Sequence, residues 1–158
     1  RSTILASIPT WYHPLTAATH ILLDEAFQHL TGDTSVTSEG IRVAGRDITI
    51  AKVAGDIGYA SFSSLCDAPL AARDYLAIAG RFAGLVLADI PQFTNSNENL
   101  ARRFMWLIDA LYDRDRFLVA SAATGINDLY VGHQWRFEFD RTISRLGEMV
   151  ARGQTTGS

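Results

Sequence analysis

Apolar residues recur at helical spacing in several stretches of the chain. Leu23, Phe27 and Leu30 fall at i, i+4 and i+7 within residues 16–31, and Gly32 follows as a natural stop. Residues 97–113 place Leu100, Phe104, Leu107, Ile108 and Leu111 on one stripe, after Asn95, Ser96 and Asn97, all good capping residues. Residues 139–151 turn Phe139, Ile143, Leu146 and Met149 with Val150 to one side. Residues 67–81 read as helical with Pro69 near the start, and residues 125–131 as a short helix.

Two runs have the opposite character. Phe82 to Asp89 and Phe117 to Ser121 are continuously apolar and bounded by turn residues, as strands buried on both faces of a parallel sheet are. With the helix between them they make a βαβ unit. Ile41–Val43 and residues 47–53 predict two short strands joined by a turn at Ala44-Gly45-Arg46-Asp47, and residues 57–62 a third. Residues 1–14 hold Pro9, Pro14 and the aromatic pair Trp11 and Tyr12, and predict an irregular lead-in. Residues 31–40 and 90–94 read as loops, and 153–158 as a frayed tail. The expected architecture is a single α/β domain over 1–158: a small sheet with a parallel core pair, flanked by helices.

The chain has 158 residues, 47% hydrophobic and 20% charged, which is enough for a core without disulfides or a structural metal. Its one cysteine, Cys66, excludes an intramolecular disulfide and any cysteine-rich metal site. A net charge of −3 argues against a bulk electrostatic grip on nucleic acid. No apolar run approaches the ~20 residues of a membrane span, and the opening Arg1-Ser2-Thr3 lacks a signal-peptide pattern. It also lacks a methionine, so the expectation is a piece of a longer protein.

The basic residues are lopsided: thirteen arginines against one lysine, Lys52. A Walker A loop needs a lysine after a glycine-rich run to reach the β- and γ-phosphates. Lys52 sits in Thr49-Ile50-Ala51-Lys52-Val53, with no such run before it, and is expected to face solvent from a strand. The chain therefore carries no phosphate loop of its own.

Candidate chemistry is sparse. Asp89 and Ser121 close the two buried strands, where ligands of open α/β sheets gather, so a small-molecule enzyme with a site there is one expectation. On the helix at 97–113, Arg102, Trp106, Asp109 and Asp113 share the face opposite the apolar stripe. Arg102 and Trp106, four apart, can stack, and a tryptophan amid charges predicts a covering element or partner, hence a non-catalytic interaction domain as another expectation. Arg103 adjoins that face. The last helix carries Arg141 and Arg145 one turn apart without a compensating acid on that helix, able to clamp an anion, and Glu148 with Arg152 as an i, i+4 pair. Cys66 in an apolar setting is expected to be structural. His13, His20, His29 and His133 have no metal-ligand spacing.

Several segments taken together resemble the C-terminal part of the ZapE / AFG-one-like (ATPase family gene one) family. They are His13-Pro14-Leu15, Gly45-Arg46, Phe62 with Leu65-Cys66 and Pro69, Asp74-Tyr75, and Ile90-Pro91-Gln92-Phe93. They continue as Arg102-Arg103-Phe104 with Leu107-Ile108-Asp109, Leu111-Tyr112-Asp113, Ser121-Ala122, and the run Arg141-Thr142-x-Ser144-Arg145-Leu146-x-Glu148-Met149. The order holds from about residue 12 to residue 149. The chain departs at Ser63-Ser64, where an acidic residue is usual, and at Ala60, where a bulkier one is.

The resemblance implies a P-loop-type AAA+ ATPase whose Walker motifs lie upstream. ATP and Mg²⁺ would be bound mainly by that upstream core, with none expected for this piece alone. Bacterial members are associated with cell division and mitochondrial relatives with turnover of membrane complexes. The implied partners are thus the upstream core, further copies of the protein, and division or membrane-complex proteins, at a cytoplasmic and membrane-peripheral location. By the same resemblance Arg141 and Arg145 are candidates for sensing phosphate and Arg102 and Arg103 for a subunit-contact or trans-acting role; Trp106, Asp109 and Asp113 remain, from their shared helix face, candidates for an interface. The βαβ unit also has the order of a Walker B strand, a helix and a first-sensor strand.

Overall fold

The computed structural model describes residue 5 and residues 8–155, with side chains described up to residue 150. Two residues, Trp11–Tyr12, form β1. The sequence predicts only an irregular lead-in here, because two residues are too few to show a period. Helix α1 follows over Ala17–Thr31, capped reciprocally by Thr16 and Thr19. It stops at Gly32, whose φ of 57° is left-handed.

Strands β2 (Thr37–Val43) and β3 (Arg46–Ala54) form an antiparallel hairpin. Its two-residue turn puts Ala44 at φ 49° and Gly45 at φ 81°, the left-handed pair that matches strand twist. β2 starts at Thr37 rather than Ile41: its first residues are polar because it is an edge strand with little to bury. β4 (Ile57–Ser61) runs into a five-residue helix, α2 (Phe62–Cys66), capped by the Ser61 hydroxyl. The helix expected from residue 67 begins only at Ala72, as α3 (Ala72–Arg81). Pro69 biases Ala68 away from helical backbone, and the Asp74 carboxylate accepts the Ala71 N–H at 2.6 Å, setting the start.

β5 (Gly84–Ile90), α4 (Glu98–Asp113) and β6 (Phe117–Ala122) form the expected βαβ unit. The helix expected at 125–131 shrinks to one 3-10 turn at Ile126–Asp128. Residues 129–131 instead pair with Phe93, whose N–H reaches Leu129 O and whose carbonyl receives Val131 N–H, both at 2.8 Å. α5 (Arg136–Thr155) starts nearly a turn before Phe139 and continues into the segment expected to fray; residues 156–158 lie outside the described residues.

The six strands lie in the order β1-β6-β5-β4-β3-β2. β1, β6, β5 and β4 are parallel; β3 and β2 are antiparallel additions. The chain is α/β with a mixed sheet between helices, as expected. α1 covers one face through Leu23, Ala26, Phe27 and Leu30, against Tyr12, Ile57, Tyr59, Val86 and Val119. The other face, with Leu85, Leu87, Leu118 and Ala120, lies under α2, α3, α4 and α5. Neighbours β1 and β6 therefore send the chain to opposite faces, which places a topological switch point at their carboxyl ends.

Candidate functional site

The outer face of α4 carries the most concentrated polar chemistry. Its i, i+4 spacing brings the Arg102 guanidinium carbon to 4.8 Å from the Trp106 ring centre, as predicted. Trp135, from the segment before α5, lies on the same guanidinium at 5.3 Å. Arg102 is thus held between two indoles while exposed to solvent. Arg103 points toward α2, where its Nη1 donates to the Cys66 carbonyl at 3.2 Å. Pro69, Leu70, Asn99, Arg102, Arg103 and Trp106 line a groove of about 310 Å³. Trp106 is half-buried against the core, so part of the predicted covering comes from Arg102. Among the described residues no carboxylate forms an ion pair with Arg102 or Arg103.

One residue absent from the sequence candidates holds this arrangement together. The Glu98 carboxylate, in the first turn of α4, accepts from the Tyr130 hydroxyl at 2.6 Å, Gln134 N–H at 2.6 Å and His133 N–H at 3.1 Å. Its backbone carbonyl accepts the Trp135 indole N–H at 3.0 Å. Tyr130 in turn accepts Trp135 N–H at 2.7 Å and stacks on Phe139 at 4.7 Å. Partial desolvation would raise the Glu98 pKa, but the donated hydrogen bonds outweigh it and hold it below the ordinary value. Desolvation first, and then the Glu98 charge, push the Tyr130 phenol up to about 12. The sequence signal was only an acid at a helix start, which is too common to single out.

The arginines of α5 are compensated, contrary to the reading of that helix alone. Asp109 accepts from Arg141 Nη2 at 3.0 Å and from Arg145 Nη1, and Arg145 also lies 3.9 Å from Asp113. The like charges of Asp109 and Asp113 on α4 thereby meet opposite charge on α5. Arg145 further caps the Tyr112 ring at 4.7 Å. Glu148 accepts the Tyr112 hydroxyl at 2.8 Å; the side chain of Arg152, its expected partner, lies outside the described residues.

The strand ends offer less. Asp89 is exposed at φ 68°, where β5 and β6 slip register between Leu87 and Ile90. Its N–H donates to the Ser121 hydroxyl at 2.9 Å, so the buried serine serves the backbone of this bulge. Neither lines the groove above or the cavities of about 450, 430 and 200 Å³ found elsewhere. The loop leaving β1 is His13-Pro14-Leu15-Thr16, the position where a strand–loop–helix unit would cradle phosphate. It has no glycine and no lysine, so it does not fit a nucleotide. Among the described residues no three potential metal ligands cluster.

Lys52 is only partly exposed, lying along aromatic rings rather than pointing freely into solvent. Four residues of β3 (Ile50 to Val53) stand against three of β2 (Thr37 to Glu39), and this one-residue bulge turns Lys52 toward α1. Its ammonium lies 4.6 Å from the Tyr59 ring centre and 5.9 Å from that of Phe27. Cys66 is buried, and desolvation pushes its thiol up to about 12 despite Tyr75 and Arg103, which act to lower it. Such a thiol is inert at neutral pH, as expected. No described helix is long and apolar enough to cross a membrane.

Comparison with known proteins follows this geometry. The model of the AFG1-like ATPase family matches residues 1–156. Cell division protein ZapE of Escherichia coli (strain K12) is 33% identical over 139 residues, covering 88% of this chain and 37% of that protein. Lactation elevated protein 1 homolog B of Danio rerio is 32% identical over 141 residues, covering 69% of this chain and 28% of its own length. The chain thus spans well under half the length of these relatives. No solved structure matches. With the family model matched over residues 1–156 and a relative 33% identical over 88% of this chain, the chain belongs to the AFG1-like ATPase family.

Proposed function

We propose that this chain is the C-terminal domain of a ZapE-like AAA+ ATPase, supporting ATP hydrolysis and assembly by an upstream core that binds ATP and Mg²⁺. The work of the whole protein would be remodelling of cell-division or membrane-associated protein complexes from the cytoplasmic side. One observation carries this reading. The family match runs through residues 1–156, while the loop after β1 holds no lysine and the one lysine, Lys52, is stacked on Tyr59, so neither supplies a Walker A grip on a γ-phosphate. Hydrolysis then belongs to a segment outside this chain, and the domain contributes in trans or through contacts.

The arginines divide by their tethering. Arg141 and Arg145 are held by Asp109, so a phosphate would have to displace a carboxylate to reach them. Among the described residues no carboxylate competes for Arg102 or Arg103, which makes them the better candidates for contacting a neighbouring subunit or core. Charge-neutral replacement of each arginine in the full-length protein tests this. Loss of ATP turnover at Arg102 or Arg103 is expected, with smaller effects at Arg141 and Arg145; turnover intact in all four variants would overturn it.

The second reading, a non-catalytic interaction domain acting through the Trp106 face, is favoured by the exposed guanidinium fixed between two indoles. The two readings are compatible, because a remodelling ATPase must hold what it remodels. The small-molecule enzyme reading loses its supposed serine to the β5 bulge.

A further inference from the structure

We infer that the α2–α4 groove recognises an acidic peptide segment with an adjoining apolar side chain, presented by a protein partner. This rests on the reading of the chain as a domain that contacts other proteins, and it adds where contact occurs and what chemistry it selects. The first observation is the state of Arg102. An exposed arginine normally samples many rotamers, and ordering it on binding costs conformational entropy. Here Trp106 and Trp135 flank the guanidinium at 4.8 and 5.3 Å. Trp135 is itself fixed at both its backbone and its indole N–H. Arg102 is ordered before any partner arrives, and no described carboxylate pairs with its fork.

The second observation is the composition of the groove beside it. Pro69, Leu70 and Trp106 form apolar walls, while Arg102, Arg103 and the Asn99 amide supply donors at the rim. About 310 Å³ is room for one large apolar side chain. A planar fork next to an apolar slot matches a carboxylate one or two residues from a leucine- or phenylalanine-type side chain. A nucleotide is the poorer occupant. The arginines stand on the second turn of α4 rather than at its N-terminus, and the first-turn acid Glu98 places a negative charge at that end.

The charge balance agrees. The chain is net acidic, yet this groove has two arginines with no ion-pair partner among the described residues and no acidic lining residue. That local reversal of sign favours acidic segments and repels basic ones.

The test is selection of a phage-displayed library of random 12-residue peptides on the full-length protein, followed by fluorescence anisotropy with the enriched peptides. Expected are peptides with an Asp or Glu within two residues of a large apolar residue, whose affinity falls as salt rises. Arg102→Ala should weaken them more than 10-fold, and Arg102→Lys about 5-fold, because lysine keeps the charge but loses the fork and much of the stack. Trp135→Leu should weaken them without removing a groove-lining residue, while Arg136→Ala, outside the groove, should change binding less than 2-fold. Enrichment without acidic residues, equal binding by the Arg102 variants, competition by ATP, or no enrichment at all overturns the inference. The ATP-turnover assay is separate: turnover that survives the arginine replacements while peptide binding is lost refutes the trans-acting role and supports the groove, and the reverse pattern refutes the groove alone.

Discussion

At Gly84 and Gly132 a single methyl group would collide with a neighbour the fold depends on. A Cβ on Gly84, at the start of β5, would stand 2.0 Å from the Phe117 ring of the adjacent strand. Gly84→Ala must push that ring aside, at a cost of about 1–3 kcal/mol; a lower urea midpoint with unchanged slope is the expected observation. A Cβ on Gly132 would stand 2.6 Å from Glu98 Oε1, so that glycine leaves room for the carboxylate clasp.

Glu98 makes its own prediction. Its folded pKa lies below the ordinary glutamate value, so the carboxylate's stabilisation is fully present above that ordinary value and is lost as pH falls through the folded one. The stability difference between the native protein and Glu98→Gln should be about 1 kcal/mol and flat from neutral pH to about 5, then shrink below about 4. Denaturation midpoints of both proteins across that range check it. At this scale the sequence was legible only where partners were close in the chain. Arg102 and Trp106 are one helical turn apart, and their stacking followed from spacing. Glu98 and its partners are 32–37 residues apart, and periodicity along one helix cannot see across such a distance.

Between elements, Asp109 is the polar hinge-pin of the α4–α5 packing. Arg145 is 21% exposed and Arg141 64%, so solvent screens the second pair far more than the first. A double-mutant cycle on thermal or urea stability should give a coupling of about 1 kcal/mol for Asp109 with Arg145, and about 0.3 kcal/mol or less for Asp109 with Arg141. A larger Arg141 coupling would show that exposure does not rank these pairs. The long amphipathic helices and the two buried strands were legible because each buries a wide apolar face. β2 and the start of α3 were not: the polar end of an edge strand reads as loop, and Asp74 caps α3 from inside a segment that otherwise looks helical.

For the whole molecule, the single lysine argued against a phosphate loop, and the strand order locates the sheet's switch point. β1 and the following helix sit at the switch point of the parallel sheet, with His13-Pro14-Leu15-Thr16 between them. The α/β class followed from the apolar runs, whereas the pairing of β1 with β6 joins residues over a hundred positions apart and could not be read from either segment. The site was half legible: its arginines and Trp106 came from the sequence, and its clasp and its groove wall from the fold.

Among the described residues the two sides of the sheet are unequally covered, with α1 and Leu5 on one and four helices on the other. Opening motions follow the thinner layer. Lifting α1 exposes less apolar surface than separating α4 and α5 from β5 and β6, so it demands less free energy. Amide hydrogens of α1 should therefore exchange with deuterium well before those of β5 and β6, whose protection should approach the limit set by global unfolding. Mass-spectrometric exchange resolves the two classes, and a uniform rate across both would mean that the layers open together.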